Sequence, residues 1–240
     1  MIVSLTIVRY RTTLIPLALF AMAVHRLSIS RQKGCTFWKL LGSGKSGTFD
    51  LKPDWQQWGL LAVWDDQSSF DNFYRQSFIA NWWRRFTTEQ WTILLSPMQS
   101  RGQWDGKEPF GKPNESINSE PVAVLTRATI RLKKLKAFWA HVDGVSHMMA
   151  AAPGYITSFG IGEAPFYRQS TFSIWRNLDD VKGFAYRSKE HAEVIKKTRD
   201  DDWYSEELFA RFKIIDAFGT LHGADPLKGL LKFVTDENNS

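Results

Sequence analysis

The chain repeats itself, and that repeat constrains its fold more than any single motif does. Leu61-Ala-Val-Trp64 is matched by Phe172-Ser-Ile-Trp175. Nine residues beyond each tryptophan stands a phenylalanine, Phe73 and Phe184, and four further on a serine, Ser77 and Ser188. Gly42-Ser-Gly44 is matched by Gly160-Ile-Gly162, and Gly102 and Gly106 by Gly219 and Gly223. Several offsets that keep residue type mark a duplicated unit rather than coincidence.

Hydrophobic periodicity fills in each unit. The first half reads as a strand at Ile2–Arg9, a helix at Thr13–Leu27 and strands at Thr36–Leu41 and Gly59–Trp64. A helix at Ser68–Phe86 follows, then a strand at Trp91–Ser96, broken at Pro97 and extended toward Trp104. The second half reads as a strand at Val122–Ile130, a helix at Leu132–Ala150 and strands at Tyr155–Phe159 and Gln169–Trp175. It continues with a helix from Leu178 to Thr198, a short helix at Ser205–Arg211 and a strand at Lys213–Gly219. Residues 107–121, rich in Gly, Pro, Asn, Ser and charge, read as a linker between units 1–106 and 122–240. Each unit is β-α-β-β-α-β, the ferredoxin-like split βαβ arrangement. Helices cover one face of such a sheet and leave the other in need of cover. Two tandem units therefore pack as an internally paired α+β barrel. The cleft between sheet and helices is then a natural ligand site.

Composition narrows the function. Eleven Trp and 17 Phe supply ample core, or the walls of a pocket for a large apolar ligand. The formal charge of +6 is scattered, apart from Arg131-Leu-Lys-Lys-Leu-Lys136 and Trp83-Arg-Arg85, and no nucleic-acid motif accompanies it. No nucleic-acid partner is expected. One cysteine, Cys35, excludes an intramolecular disulfide and suits a reducing, cytoplasmic setting. Leu14–Val24 is apolar but shorter than the ~20 residues of a membrane span, and the β-branched run before it is unlike a signal peptide's charged start. It reads as a buried helix.

His191 is the residue on which the functional reading turns. On the Leu178–Thr198 helix, Val181, Phe184, Ala185, Ser188, Ala192 and Ile195 form one stripe, and His191 lies at its edge. The residues alone leave two readings open: a metal ligand, or a half-buried imidazole packed beside Phe184. The repeat places His191 on Ala80, so the first half has no counterpart. Other motifs fail. His141 and His147 do not share a helix face, and Gly-Lys-Ser at 44–46 lacks the phosphate-loop spacing.

Seven stretches in order resemble the spheroidene monooxygenase family. They are Phe37–Gly44, Trp58–Trp64, Leu125–Ile130, Gly160–Glu163, Thr171–Trp175, Glu207–Phe212 and Gly223–Leu227. The resemblance places the chain in the wider dimeric α+β barrel group. It implies a haem-dependent oxygenase that adds oxygen to a linear carotenoid or similar apolar polyene, using O₂ and a ferredoxin-type electron donor. It implies His191 as the iron ligand. Arg127, Arg168 and Arg187 would be candidates to meet haem propionates, with Trp175, Phe184 and Ser188 lining the pocket. Such a substrate would bring the protein to a membrane surface, with the basic Arg131–Lys136 helix as contact, and the fold permits a further homodimer. A cofactor-free barrel enzyme with His191 as acid or base, and a non-catalytic haem or lipid carrier, are the readings it competes with.

Overall fold

Side-chain alternation along eight strands closes the sheet. The computed structural model describes residues 1–44, 53–113, 121–164, 166–187 and 201–231, with the side chains at 141–146 and 186–187 outside the description. The first unit contains β1 (Ile2–Tyr10), α1 (Ile15–Ile29), β2 (Cys35–Gly44), β3 (Pro53–Trp64), α2 (Gln67–Gln76), α3 (Phe78–Phe86) and β4 (Thr87–Gly102). The second contains β5 (Val122–Ile130), α4 (Leu135–Ala150), β6 (Tyr155–Ala164), β7 (Arg168–Trp175), α5 (Leu178–Arg187) and β8 (Tyr204–Gly219). The strands form one closed antiparallel barrel in the order β1-β3-β2-β6-β7-β5-β8-β4. This is the expected α+β barrel of two ferredoxin-like units.

The two seams of the barrel are β2 with β6 and β4 with β8. At the first, Gly42 pairs with Gly162. Both are also opposite the residue six before the unit's tryptophan, Trp58 and Gln169. Gly42 and Gly162 are therefore equivalent, a two-residue correction to the match of Gly42 with Gly160 read from sequence. At the second seam Gly102 (φ 85) and Gly219 (φ 91) stand in equivalent places. A Cβ there would lie 2.2 Å from the Glu207 carbonyl oxygen and 2.0 Å from that of Gln90, so only glycine fits. After each glycine a tight turn closes one end of the barrel. Trp104 bridges Lys107, and Leu221 bridges Ala224. Glu206 accepts from the N–H groups of Asp105 and Gly106, and Glu89 from those of His222 and Gly223.

Inside, residues such as Leu5, Leu61, Ile93, Leu125, Phe172 and Phe212 fill the barrel, which is a packed core and not a channel. Phe110, in the segment read as a linker, is 1% exposed and stacks edge-on against Phe212 at 5.0 Å. The outer face of the first unit is packed beneath α1, α2 and α3 through Val8, Leu60, Trp64, Phe73 and Trp83.

Three local expectations change. The helix read at Ser68–Phe86 is two, because Ser77 is extended (ψ 154) and its hydroxyl accepts from the Ala80 N–H at 3.0 Å, starting α3 as its N-cap. Ser205–Arg211 is not a helix but part of β8. Leu208, Ala210 and Phe212 alternate into the barrel, and the strand is paired on both sides, with β4 and β5. The helix read to Thr198 is described as far as Arg187. The apolar helix α1 buries only Ala18, Ala21, His25 and Ile29, and leaves its opposite side in solvent.

Candidate functional site

Because the halves are equivalent, each position on the helix-facing side of one sheet has a counterpart on the other, and the comparison exposes where they differ. In the first half, Thr6 on β1 is 2% exposed and its hydroxyl lies 3.0 Å from that of Thr92. Its cross-strand neighbours Leu60 and Thr92 are also buried. In the second half the same place is held by Thr126 on β5, and Thr126 is exposed. Its neighbours Thr171 and Phe209 are half-buried. Arg211 stands where the first half has buried Leu94. Among the described residues, one sheet face is thus sealed by its helices, and its duplicate is less covered around Thr126, Thr171 and Phe209 while Val122, Val124 and Trp175 beside them are buried.

That less covered face is formed by β5, β7 and β8. Its edge is built by Phe209, over which two guanidinium groups lie: Arg101 from β4 at 5.2 Å and Arg211 at 5.1 Å from the ring centre. Arg211 also donates to the Gln99 side chain at 2.9 Å. At the other side Trp175 is buried, donates through Nε1 to Ser173 at 2.9 Å, and packs against Phe184 of α5 at 5.3 Å and Tyr155 of β6 at 5.7 Å. Trp175 and Phe184 are therefore brought together, as the repeat required from Trp64 and Phe73, which lie 4.8 Å apart. Phe73 is buried and Phe184 only half-buried. Above the floor, α4 contributes Met149 to the shared apolar cluster, and its Phe138 faces Tyr204 at 6.3 Å. Burial first, and then the charge of Glu207, pushes the Tyr204 hydroxyl up to about 12, so it stays protonated at neutral pH.

Arg127 and Arg168 are not in this cleft. On β5, Ala123, Leu125 and Arg127 point into the barrel while Val122, Val124 and Thr126 point toward the helices, so Arg127 stands on the opposite face from Trp175. It is 1% exposed and paired with Glu206 and, at 3.4 Å, with Glu163. Arg168 lies 3.3 Å from Asp105 and 3.7 Å from Glu163. Lys39 completes the cluster with Asp105 and, at 2.9 Å, Glu163, which also accepts from Trp104 Nε1 at 2.6 Å. Three cations and three carboxylates thus neutralise one another at one end of the barrel. Burial raises the Glu206 carboxyl, but the N–H groups of Gly106 and Asp105 together with Arg127 outweigh it and hold the group below its ordinary value. Asp105 is likewise held low, with Lys39 the main counterweight to burial. Arg127 and Arg168 are thus both paired with carboxylates on the barrel side of the sheet, away from Trp175.

Ser188 and His191 lie outside the described residues, and Arg187 closes α5 with its side chain outside them. Among the described residues no group of three His, Cys, Asp or Glu could hold a metal ion. Arg101, Phe209 and Arg211 were not recognised as site residues in the sequence. Their signal was the alternation Glu207, Phe209, Arg211, which puts these residues on one face only when the segment is a strand.

The duplicated barrel with helices outside defines the structural class. Two aldoxime dehydratase crystal structures share it. One has a TM-score of 0.57 at 12% identity, covering 90% of this chain and 81% of that one. The other, a complex with butyraldoxime, has a TM-score of 0.56 at 11% identity, covering 90% and 79%. No family model matches the chain. Sequence relatives are nearer. The spheroidene monooxygenase of Rhodobacter capsulatus is 32% identical over 94% of this chain and 95% of its own. That of Rubrivivax gelatinosus is 34% identical over 80% and 73%. That of Cereibacter sphaeroides is 38% identical over 86% of this chain, which spans 64% of the relative's length. The chain belongs to the spheroidene monooxygenase family, a family of monooxygenase-type oxidoreductases.

Proposed function

We propose that this protein is a haem-dependent monooxygenase acting on a linear carotenoid or similar apolar polyene, with the haem in the helix–sheet cleft of the second half. The observation that carries the reading is the less covered sheet face at Thr126 set against the sealed face at Thr6.

The residues of the cleft fit such a group. A flat macrocycle needs apolar walls, and half-buried Phe184 and Phe209 supply them, with buried Trp175 packed against Phe184. Its carboxylates need cations at one edge, and Arg101 and Arg211 provide two, with planar donors suited to carboxylate oxygens. These two replace Arg127 and Arg168 in that role. His191, carried on the segment that follows α5, is the residue assigned to the iron. Bound there, the haem would supply activation of O₂, taking electrons from a ferredoxin-type donor. The chain's own part is to hold the planar group, exclude water with the aromatic walls, and seat the polyene against it. The name of the three relatives carries the substrate class.

The reading is tested by supplying haem, a ferredoxin system, a linear carotenoid and ¹⁸O₂ to the purified protein. One labelled oxygen atom in the product, with the other reduced to water by two electrons and two protons, supports it. Full haem loading with no oxygenated carotenoid would leave a haem carrier. Oxygenated product without any haem would leave a cofactor-free enzyme.

A further inference from the structure

The first half carries a surface that the cleft chemistry does not use. Along α1, Pro16, Leu19, Phe20, Ala23 and Leu27 follow one another at helical spacing, and all are exposed. Leu19 is 45% exposed, Phe20 59% and Leu27 62%, and Phe78 at the start of the neighbouring α3 adds a ring at 48%. Residues 12–29 are apolar enough to cross a membrane by length and composition, with 22% of the window buried. A crossing is incompatible with the fold, however. The opposite side of α1 is anchored to the barrel by Ala18, Ala21, His25 and Ile29, and its two ends connect to barrel strands β1 and β2. The helix therefore lies flat along the wall with an apolar strip facing outward.

The charge along this segment is of one sign, although Asp65 and Asp66 lie beside its far end, where the Asp65 N–H donates to the Gly34 carbonyl at 2.9 Å. Residues 1–49 contain seven Lys and Arg and no Asp or Glu. Arg9 and Lys39 are paired with carboxylates. Arg11 at one end of α1 and Arg26, Arg31 and Lys33 at the other are exposed. On α3, Arg84 and Arg85 are exposed too, and residues 72–88 again lack any carboxylate. By contrast Arg131, in the basic segment expected from sequence to meet a membrane, is paired with Asp202 at 3.0 Å.

We propose that the outer face of α1, with Phe78 of α3, docks this protein on an anionic lipid surface. The apolar strip enters the headgroup–acyl boundary, and the flanking arginines meet lipid phosphates, as in an interfacial amphipathic helix. The charge pattern selects lipid over a second copy. A symmetric contact would set this rim against itself, with the exposed cations Arg11, Arg26, Arg31, Lys33, Arg84 and Arg85 outnumbering Asp65 and Asp66 at its end.

The test is co-sedimentation of the whole protein with vesicles of phosphatidylcholine alone and of phosphatidylcholine mixed with phosphatidylglycerol. Wild type is compared with Leu19→Ser/Phe20→Ser/Leu27→Ser and with Arg11→Glu/Arg26→Glu. The wild type should prefer the anionic vesicles and be released by salt. The serine variant should bind them about tenfold less or weaker, from the lost apolar contact. The charge-reversed variant should fall to the level seen with phosphatidylcholine. Thermal melts should be unchanged, since every altered side chain is exposed. Wild type that ignores anionic vesicles, or a serine variant that binds as well as wild type, overturns the proposal. So does a wild-type dimer in light scattering that the serine substitutions dissociate without any vesicle binding in wild type.

Discussion

Thr6 and Thr126 are the same position in the two halves, so one substitution made at each turns the asymmetry into a number. Thr6→Trp must force an indole into a face where Thr6 is 2% exposed, between buried Leu60 and Thr92. Overpacking of this kind costs about 1–3 kcal/mol or more. The change also removes the hydroxyl 3.0 Å from Thr92, leaving a buried group without that partner at about 1–3 kcal/mol. The sum is about 2–6 kcal/mol, a large part of a stability of about 5–15 kcal/mol. For a chain of this length that corresponds to a fall in Tm of several degrees or more. Thr126→Trp meets none of these costs, because Thr126 is exposed. Its expected change is about 0.5 kcal/mol or less in either direction, or about 2 °C. Thermal melts of the two variants, made without added haem and followed by circular dichroism, measure the difference. If Thr126→Trp lowers Tm as far as Thr6→Trp, the second face is as closed as the first and the cleft does not exist.

Other consequences follow from buried charge and titration. Burial against Phe78, Trp82 and Trp83 depresses His25 to about 4 from 6.5, so the neutral ring stabilises the fold above pH 6.5 and that contribution is lost as pH falls toward 4. Stability should fall by up to about 3 kcal/mol across that window in urea titrations, and His25→Phe should flatten the profile there. Arg127→Met leaves Glu163 and Glu206 facing each other at the barrel end without their central cation. It should cost about 3–5 kcal/mol in chemical denaturation. If Arg127→Met instead keeps wild-type stability but weakens haem binding, the assignment of this residue to the barrel network is wrong.

Much of the architecture was legible because the duplication repeats bulky and special residues. Trp64 and Trp175 begin the same strand-to-helix turn, and Gly102 and Gly219 are fixed by carbonyl oxygens that leave no room for a Cβ. The glycines at the β2–β6 seam were misaligned by two because flanking residues there differ between halves, and only strand register sets Gly42 opposite Gly162. The segment Glu207–Phe212 satisfies helical and strand spacing alike; pairing on both sides decides for the strand, and a local reading cannot see it. Only on the strand do Phe209 and Arg211 share one face, the guanidinium 5.1 Å from the ring centre. Arg127 was visible as an arginine on a strand, but which face it takes depends on one residue of register, and that places it in the barrel rather than under the helices. The exposed strip on α1 was read as core because its composition is that of a core helix. Only the barrel behind it shows that one side is already used.

The most direct measurement is a haem titration followed by absorption in the Soret region, with wild type beside Thr126→Trp and His191→Ala. A saturable Soret band in wild type, abolished by an indole in the cleft and shifted or lost without the imidazole, is the expected result. A band that forms with equal affinity in Thr126→Trp would put the haem elsewhere, and no band in folded wild type would remove haem from the chemistry of this protein.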